Sequence, residues 1–194
     1  MKNSSLANIL KTGLYGDRDK NNTNNILKIK ELKNLFIFQI AKYKKSNIDF
    51  SNIILDNLKL PITLHASYNE QTRILWMGPD IWLVISEKKE IGNLLKQKFS
   101  ENDFSLTDLS HSRTIIEIEG KLVPEVIKKG CPLNLTNLKG GNCSNSVFHA
   151  ITVTLDFISD DPKKIRILAL RSFGESLYES ITDACLEFGY KIED

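Results

Sequence analysis

The chain has 194 residues, 26 Lys/Arg against 24 Asp/Glu for a formal net charge of +2, and 41% hydrophobic residues. That length holds one domain or two small ones and buries about 70% of the unfolded surface, so a core forms without metals or disulfides. The composition excludes wholesale disorder, and the charge balance excludes a nucleic-acid binder of the strongly basic kind. Residues 1–25 lack apolar periodicity, carry Gly13, Gly16 and an Asn-rich run, and read as a flexible N-terminal arm. Leu35 to Ile40 is aromatic and β-branched, hence a strand. Asn47 or Asp49 caps a short helix carrying Ile53, Ile54 and Leu58, and Pro61 ends it. Ile74–Met77, Gly78-Pro79-Asp80 and Ile81–Ile85 form a hairpin, with Pro79 pre-setting φ at the second turn position. Ser86 caps a helix over 87–99 whose Ile91, Leu94, Leu95 and Phe99 share one stripe. A strand at Phe104–Leu109 closes the unit.

The second half repeats this order. Arg113–Glu119 alternates as a strand. A short helix follows Gly120, with Val123, Val126 and Ile127 inward, Pro124 in its first turn and Gly130 as its stop. Val147 to Phe157 alternates as one long strand, Asp160-Asp161-Pro162 turns the chain, and Ile165–Leu170 returns. The closing helix begins with the capping box Ser172-x-x-Glu175 and buries Phe173, Leu177, Ile181, Cys185 and Phe188. Tyr190–Ile192 adds a last strand. Both halves therefore read β-α-β-β-α-β. The expectation is an α+β protein with two ferredoxin-like (split βαβ) halves, 26–110 and 111–194, behind the arm over 1–25.

Charge and cysteines add context. Residues 1–60 carry a net +6 and residues 61–194 a net −4. The basic third suits an acidic partner surface or a solvated lysine-rich face. Cys131, Cys143 and Cys185 are odd in number and contain no Cys-x-x-Cys pair, which fits reduced thiols in a cytoplasmic protein. No apolar leader and no stretch of 18 uninterrupted apolar residues is present, so no secretory signal and no membrane contact are expected.

Chemistry-bearing motifs are sparse. No dinucleotide or phosphate loop follows a strand. His65, His111 and His149 lie far apart, and Cys131, Cys143 and His149 lack a fourth zinc ligand at useful spacing. Asp108-x-Ser110-His111-Ser112 gathers an acid, a hydroxyl and an imidazole on adjacent positions, which suits a polar connection better than a triad. Glu117 and Glu119 share a strand face, either as an acid–base pair in a cleft or as a solvated face. An RNA-recognition sheet would need an exposed aromatic motif that this chain lacks, so no nucleic-acid partner is expected.

Three segments carry a family resemblance. Leu75-Trp76-Met77-Gly78-Pro79-Asp80-Ile81-Trp82-Leu83 is one. Thr107-Asp108-Leu109-Ser110-His111-Ser112-Arg113-Thr114, continued by Glu119-Gly120 and Lys129-Gly130-Cys131-Pro132-Leu133-Asn134-Leu135, is the second. Arg171-Ser172-Phe173 with Ser176-Leu177 is the third. Together they resemble the gamma subunits of heterotetrameric sarcosine oxidases, related to the folate-binding glycine-cleavage T-protein fold. The resemblance covers residues 70–190, with Ile81 and Asn134 standing where the family more often has acids. It implies a chain with no catalytic, cofactor-binding or metal-binding residues of its own. FAD, FMN, NAD, tetrahydrofolate and zinc would sit on the other subunits of an oxidoreductase complex that demethylates sarcosine and passes the one-carbon unit to tetrahydrofolate. The chain would pack directly against the alpha subunit, with beta and delta in the same assembly. Trp76, Trp82, Arg171 and Tyr178 are the candidate interface anchors, the aromatic and arginine types that dominate such contacts; the alternative is that both tryptophans are sheet core. Two other readings stay open: the equivalent subunit of an N-methylglutamate dehydrogenase, and a freestanding folate-binding protein of the T-protein superfamily.

Overall fold

The computed structural model describes residues 4–17 and 26–193. In chain order the strands are β1 (Gly13–Tyr15), β2 (Leu27–Glu31), β3 (Phe36–Lys42), β4 (Ile54–Leu55), β5 (Leu58–Lys59), β6 (Ala66–Tyr68), β7 (Thr72–Gly78), β8 (Ile81–Ser86), β9 (Phe104–Asp108), β10 (Arg113–Glu119), β11 (Cys143–Phe148), β12 (Ile151–Asp160), β13 (Lys163–Leu170) and β14 (Tyr190–Ile192). The helices are α1 (Ile91–Lys98), α2 (Val123–Gly130) and α3 (Gly174–Cys185). The mixed α+β architecture agrees with the sequence reading. The chain divides into two compact units, one of residues 1–33, 112–140 and 145–194, the other of 34–111 and 141–144.

The second unit holds a five-stranded antiparallel sheet in the order β6-β7-β8-β3-β9. Strands β3, β7, β8 and β9 with α1 follow the split βαβ order. The expected first helix is absent. In its place stand a 3₁₀ turn at Phe50–Asn52, capped by Asp49 Oδ1 accepting from Ser51 N at 2.9 Å, and the small β4–β5 hairpin. Asp56 and Asn57, at φ 50° and 63°, supply the left-handed pair that a two-residue hairpin turn demands. Helix α1 starts at Ile91 instead of near Glu87. Ser86 accepts from Lys88 N at 3.2 Å in a local turn rather than capping the helix. The core gathers Ile40, Ile74, Trp82, Val84, Leu95, Phe99 and Phe104 between sheet and helix.

The first unit holds a seven-stranded sheet in the order β1-β14-β2-β10-β13-β12-β11. Strand β2 was expected with the residues that follow it. Instead it pairs antiparallel with β10 and parallel with β14, and it belongs to this unit. Both of its faces are matched there: Leu27 and Ile29 point into the core of α2 and α3, while Lys28 and Lys30 meet Glu119 and Glu117 on the other face. Residues 4–17 of the expected arm are docked. Leu6 is fully buried, Ser5 Oγ donates to Glu31 Oε1 at 2.8 Å, Ser4 Oγ donates to Glu31 Oε2, and β1 pairs with β14. Residues 1–3 and 18–25 lie outside the described residues.

Two further expectations fail locally in this unit. The run from Val147 to Phe157 is broken by a tight turn, because His149 and Ala150 take φ 44° and 66°. The alternation that looked continuous belongs to two strands. The Ser172-x-x-Glu175 capping box does not form. Arg171–Phe173 is a 3₁₀ turn, α3 begins at Gly174, and no side chain caps it.

Ala150 is exposed and strained in the left-handed region, which costs a residue with a Cβ ~1–2 kcal/mol. Ala150→Gly should therefore stabilise the protein by ~0.5 kcal/mol after the added unfolded-state entropy, seen as a higher urea midpoint with unchanged slope.

Candidate functional site

The segments that carried the resemblance are structural ties. In the hairpin, Trp76 and Trp82 are cross-strand partners, with a register shift between Trp76 and Gly78. Asp80, at φ 60°, completes the Pro79 turn. Trp82 is 1% exposed, its indole N–H donates to Pro61 O at 3.0 Å, and the Phe50 ring meets it edge-on at 4.9 Å. In the Asp108-x-Ser110 segment, Asp108 Oδ1 accepts from Ser110 N at 2.8 Å and Ser110 Oγ accepts from Ile37 N at 2.9 Å. The acid and hydroxyl thus close the end of β9 onto β3.

The Lys129-Gly130-Cys131 segment ties α2 to its neighbours. Lys129 Nζ donates to Ala184 O at 2.6 Å, pairs with Glu187 at 2.6 Å and lies 4.6 Å over the Phe188 ring. A Cβ on Gly130 would stand 2.6 Å from His149 Cδ2, so glycine serves a close approach and not a left-handed stop. Cys131 Sγ lies 3.2 Å from Ser146 Oγ.

The strongest electrostatic feature is a charged row across the first unit's sheet. Glu117 is 4% exposed. It accepts from Arg166 Nε at 2.8 Å and faces Lys30 at 3.2 Å and Lys164 at 3.9 Å. Burial alone would raise its pKa. The Arg166 hydrogen bond and charge, with Lys30, outweigh that and hold the carboxyl below its ordinary value. Glu119 pairs with Lys164 at 2.7 Å and Lys28 at 3.2 Å and is likewise depressed. Part of the N-terminal basic excess is thus spent within this unit, and the two glutamates are pinned anions instead of a poised acid–base pair. The second unit has a smaller counterpart. Asp56 takes Lys88 at 2.6 Å and the Thr72 hydroxyl at 2.6 Å.

Of the four candidate anchors, two are core. Trp82 belongs to the second unit's core. Tyr178 is 8% exposed in the first unit, its phenol pushed up to about 12 by burial. Trp76 is half-buried against its own unit's core, and Arg171 is half-buried. The side chains beside Arg171 stand out. Leu170 is 46% and Phe173 47% exposed. Helical spacing predicts Phe173 on the buried stripe of α3; the 3₁₀ turn removes it from the helix and turns it outward.

The three cysteines are buried thiols outside any disulfide, with the Cys185 thiol pushed up to about 12 by burial. His65 is bonded to Thr63 O at 2.8 Å through Nδ1, and His149 packs edge-on against Phe148. Among the described residues no three His, Cys, Asp or Glu side chains form a metal-holding group, and no helix is long and apolar enough to cross a membrane.

The sequence model of the family described as sarcosine oxidase, gamma subunit family, matches residues 49–187. The chain belongs to that family. The sarcosine oxidase subunit gamma of Corynebacterium sp. (strain P-1) is 33% identical over 125 residues, 61% of this chain and 59% of that protein. Its counterpart from Corynebacterium sp. (strain U-96) is 30% identical over 123 residues, 60% and 58% respectively. The matched region thus spans under two thirds of these curated relatives. Among solved structures, a chain of the heterotetrameric sarcosine oxidase from Corynebacterium sp. U-96 in complex with pyrrole 2-carboxylate superposes with a TM-score of 0.78 at 20% identity, covering 96% of this chain and 95% of that one. The glycine cleavage system aminomethyltransferase T from Bartonella henselae gives 0.64 at 10% identity, covering 88% of this chain and 48% of that one. At these identities both show the fold alone, and this chain shares it with about half of the aminomethyltransferase T chain.

The sarcosine oxidase gamma fold here leans on Glu117, and its linkage has a definite sign. The folded pKa lies below the unfolded value, so its stabilisation is fully present above the unfolded pKa of about 4.3 and is lost as pH falls through the folded value. Glu117→Gln should cost ~3 kcal/mol at pH 7, because it leaves the cations around that position without their anion. The wild-type advantage should shrink toward pH 3 in paired denaturation curves.

Proposed function

We propose that this chain is the gamma subunit of a heterotetrameric sarcosine oxidase, a scaffold that packs against the alpha subunit and takes no part in the chemistry. In this reading the oxidative demethylation of sarcosine and the transfer of its one-carbon unit to tetrahydrofolate run on the alpha, beta and delta subunits. FAD, FMN, NAD, tetrahydrofolate and zinc are held there, and the assembly is cytoplasmic.

The observation that carries the scaffold role is the pair of exposed apolar side chains, Leu170 and Phe173, on either side of the half-buried Arg171 at the junction of β13 and α3. An arginine between two large exposed apolar side chains is the composition of an interface hot spot. It sits in one of the three segments that bear the family resemblance. In the same three segments the Trp82 indole donates to Pro61 O, Ser110 Oγ accepts from Ile37 N and Lys129 Nζ donates to Ala184 O.

The test is a pull-down of the tagged chain from native cells, read by intact mass and visible absorption. Recovery of yellow, flavin-bearing larger subunits is expected. Arg171→Ala and Phe173→Asp should each lower that recovery ~10-fold or more, while turnover per assembled complex stays at the wild-type level. A colourless lone chain, or an intact Arg171→Ala complex that has lost turnover, would contradict the reading. An N-methylglutamate-oxidising assembly would be recognised by its substrate, and a freestanding folate protein by folate quenching of tryptophan fluorescence in the lone chain.

A further inference from the structure

Strand β9 is an edge of the second unit's sheet. Its register with β3 sets Ile40 opposite Leu106 and Phe38 opposite Asp108. Leu109 N donates to Ile37 O at 2.7 Å and Tyr43 N to Asp103 O at 2.8 Å. By the two-residue period, the odd-numbered residues of β9 turn their backbone groups toward β3, and Leu106 turns its N–H and C=O to the open side.

Against this edge lies a cavity of about 280 Å³ between β9 and α1. Its apolar walls are Phe38, Leu95 and Leu106, and its rim is Asn93, Lys96 and Asp108. Gly92 shapes it: a Cβ there would stand 3.0 Å from Phe38 Cζ, so the ring lies close against the helix. The volume falls below the roughly 300–1,000 Å³ of small-molecule sites and suits side chains entering from a neighbouring strand. Lys96 is exposed in the last turn of α1 and forms no ion pair among the described residues.

An open strand edge beside a helix-walled apolar groove is the arrangement in which a sheet accepts an added strand. We propose that β9 receives an extended segment of the large subunit that this chain binds. The segment pairs its backbone with Leu106, places an apolar side chain in the cavity and sets an acidic side chain against Lys96. This rests on the complex reading above. A second copy of the chain is the poorer occupant. The only acid on β9 is Asp108, and its Oδ1 already accepts from Ser110 N at 2.8 Å, so a copy meets Lys96 only with a carboxylate already tied into its own chain.

Two variants test this. Leu106→Pro removes the outward N–H and blocks strand addition while leaving the bonds to β3 in place. Lys96→Glu reverses the exposed charge and serves even if the proline variant fails to fold. Each tagged variant is co-expressed with the large subunits. Recovery of those subunits is measured, along with far-UV circular dichroism and sedimentation of the isolated chain. Both variants should keep the wild-type spectrum and recover at least ~10-fold less partner. Wild-type recovery by either folded variant overturns the proposal. So does an isolated wild-type dimer that Leu106→Pro converts to monomer, which assigns the edge to a second copy. If the wild-type chain itself recovers no larger subunit, the complex reading fails and this proposal falls with it. Loss confined to the variants upholds both.

Discussion

A buried carboxylate holds the first unit together. Glu117 sits on the central strand of three, and its charge is tolerable at that depth only because cations arrive from both sides: Arg166 and Lys164 on β13, Lys30 on β2. The requirement fixes register. A one-residue slip of β2 would carry Lys30 to the face of the apolar core and bring Ile29 out beside the anion. That fits a strand from the N-terminal third lying between β10 and β14, with Lys28 and Lys30 on the face of Glu119 and Glu117.

Much of the fold was legible because periodicity and turn chemistry agree. The Trp76–Trp82 hairpin, the strand over 113–119, the helix α2 and the closing strand emerged where the pattern put them. The failures share a physical cause. Left-handed residues other than glycine, at Asp56-Asn57 and His149-Ala150, make two-residue turns that carry no glycine signal. One dissolved an expected helix, and the other cut an apparently continuous strand. The partnership of β2 with β10 was a matter of tertiary choice, since its alternation suits either sheet. Its lysines facing the glutamates of β10 were the available clue.

The candidate site was legible in residue type but not in place. Tryptophan and tyrosine are both the typical anchors of interfaces and large fillers of cores. Composition cannot separate the two roles, and burial assigned Trp82 and Tyr178 to cores. Phe173 ran the opposite way. Helical spacing put it inside, and the 3₁₀ turn ahead of α3 put it outside. The motif residues that looked chemical, in Asp108-x-Ser110 and Lys129-Gly130-Cys131, spend their polar groups on backbone and near neighbours. The surfaces offered to a partner are two exposed apolar side chains at the β13–α3 junction in one unit and an unpaired strand edge in the other.

Amide hydrogen exchange of this chain, alone and within its purified complex, tests the account most directly. Slowed exchange on assembly at residues 170–173 and at the Leu106 amide, with the interior of β10 unchanged, is the predicted result. Exchange at both places that is the same in the lone chain and the complex would contradict it.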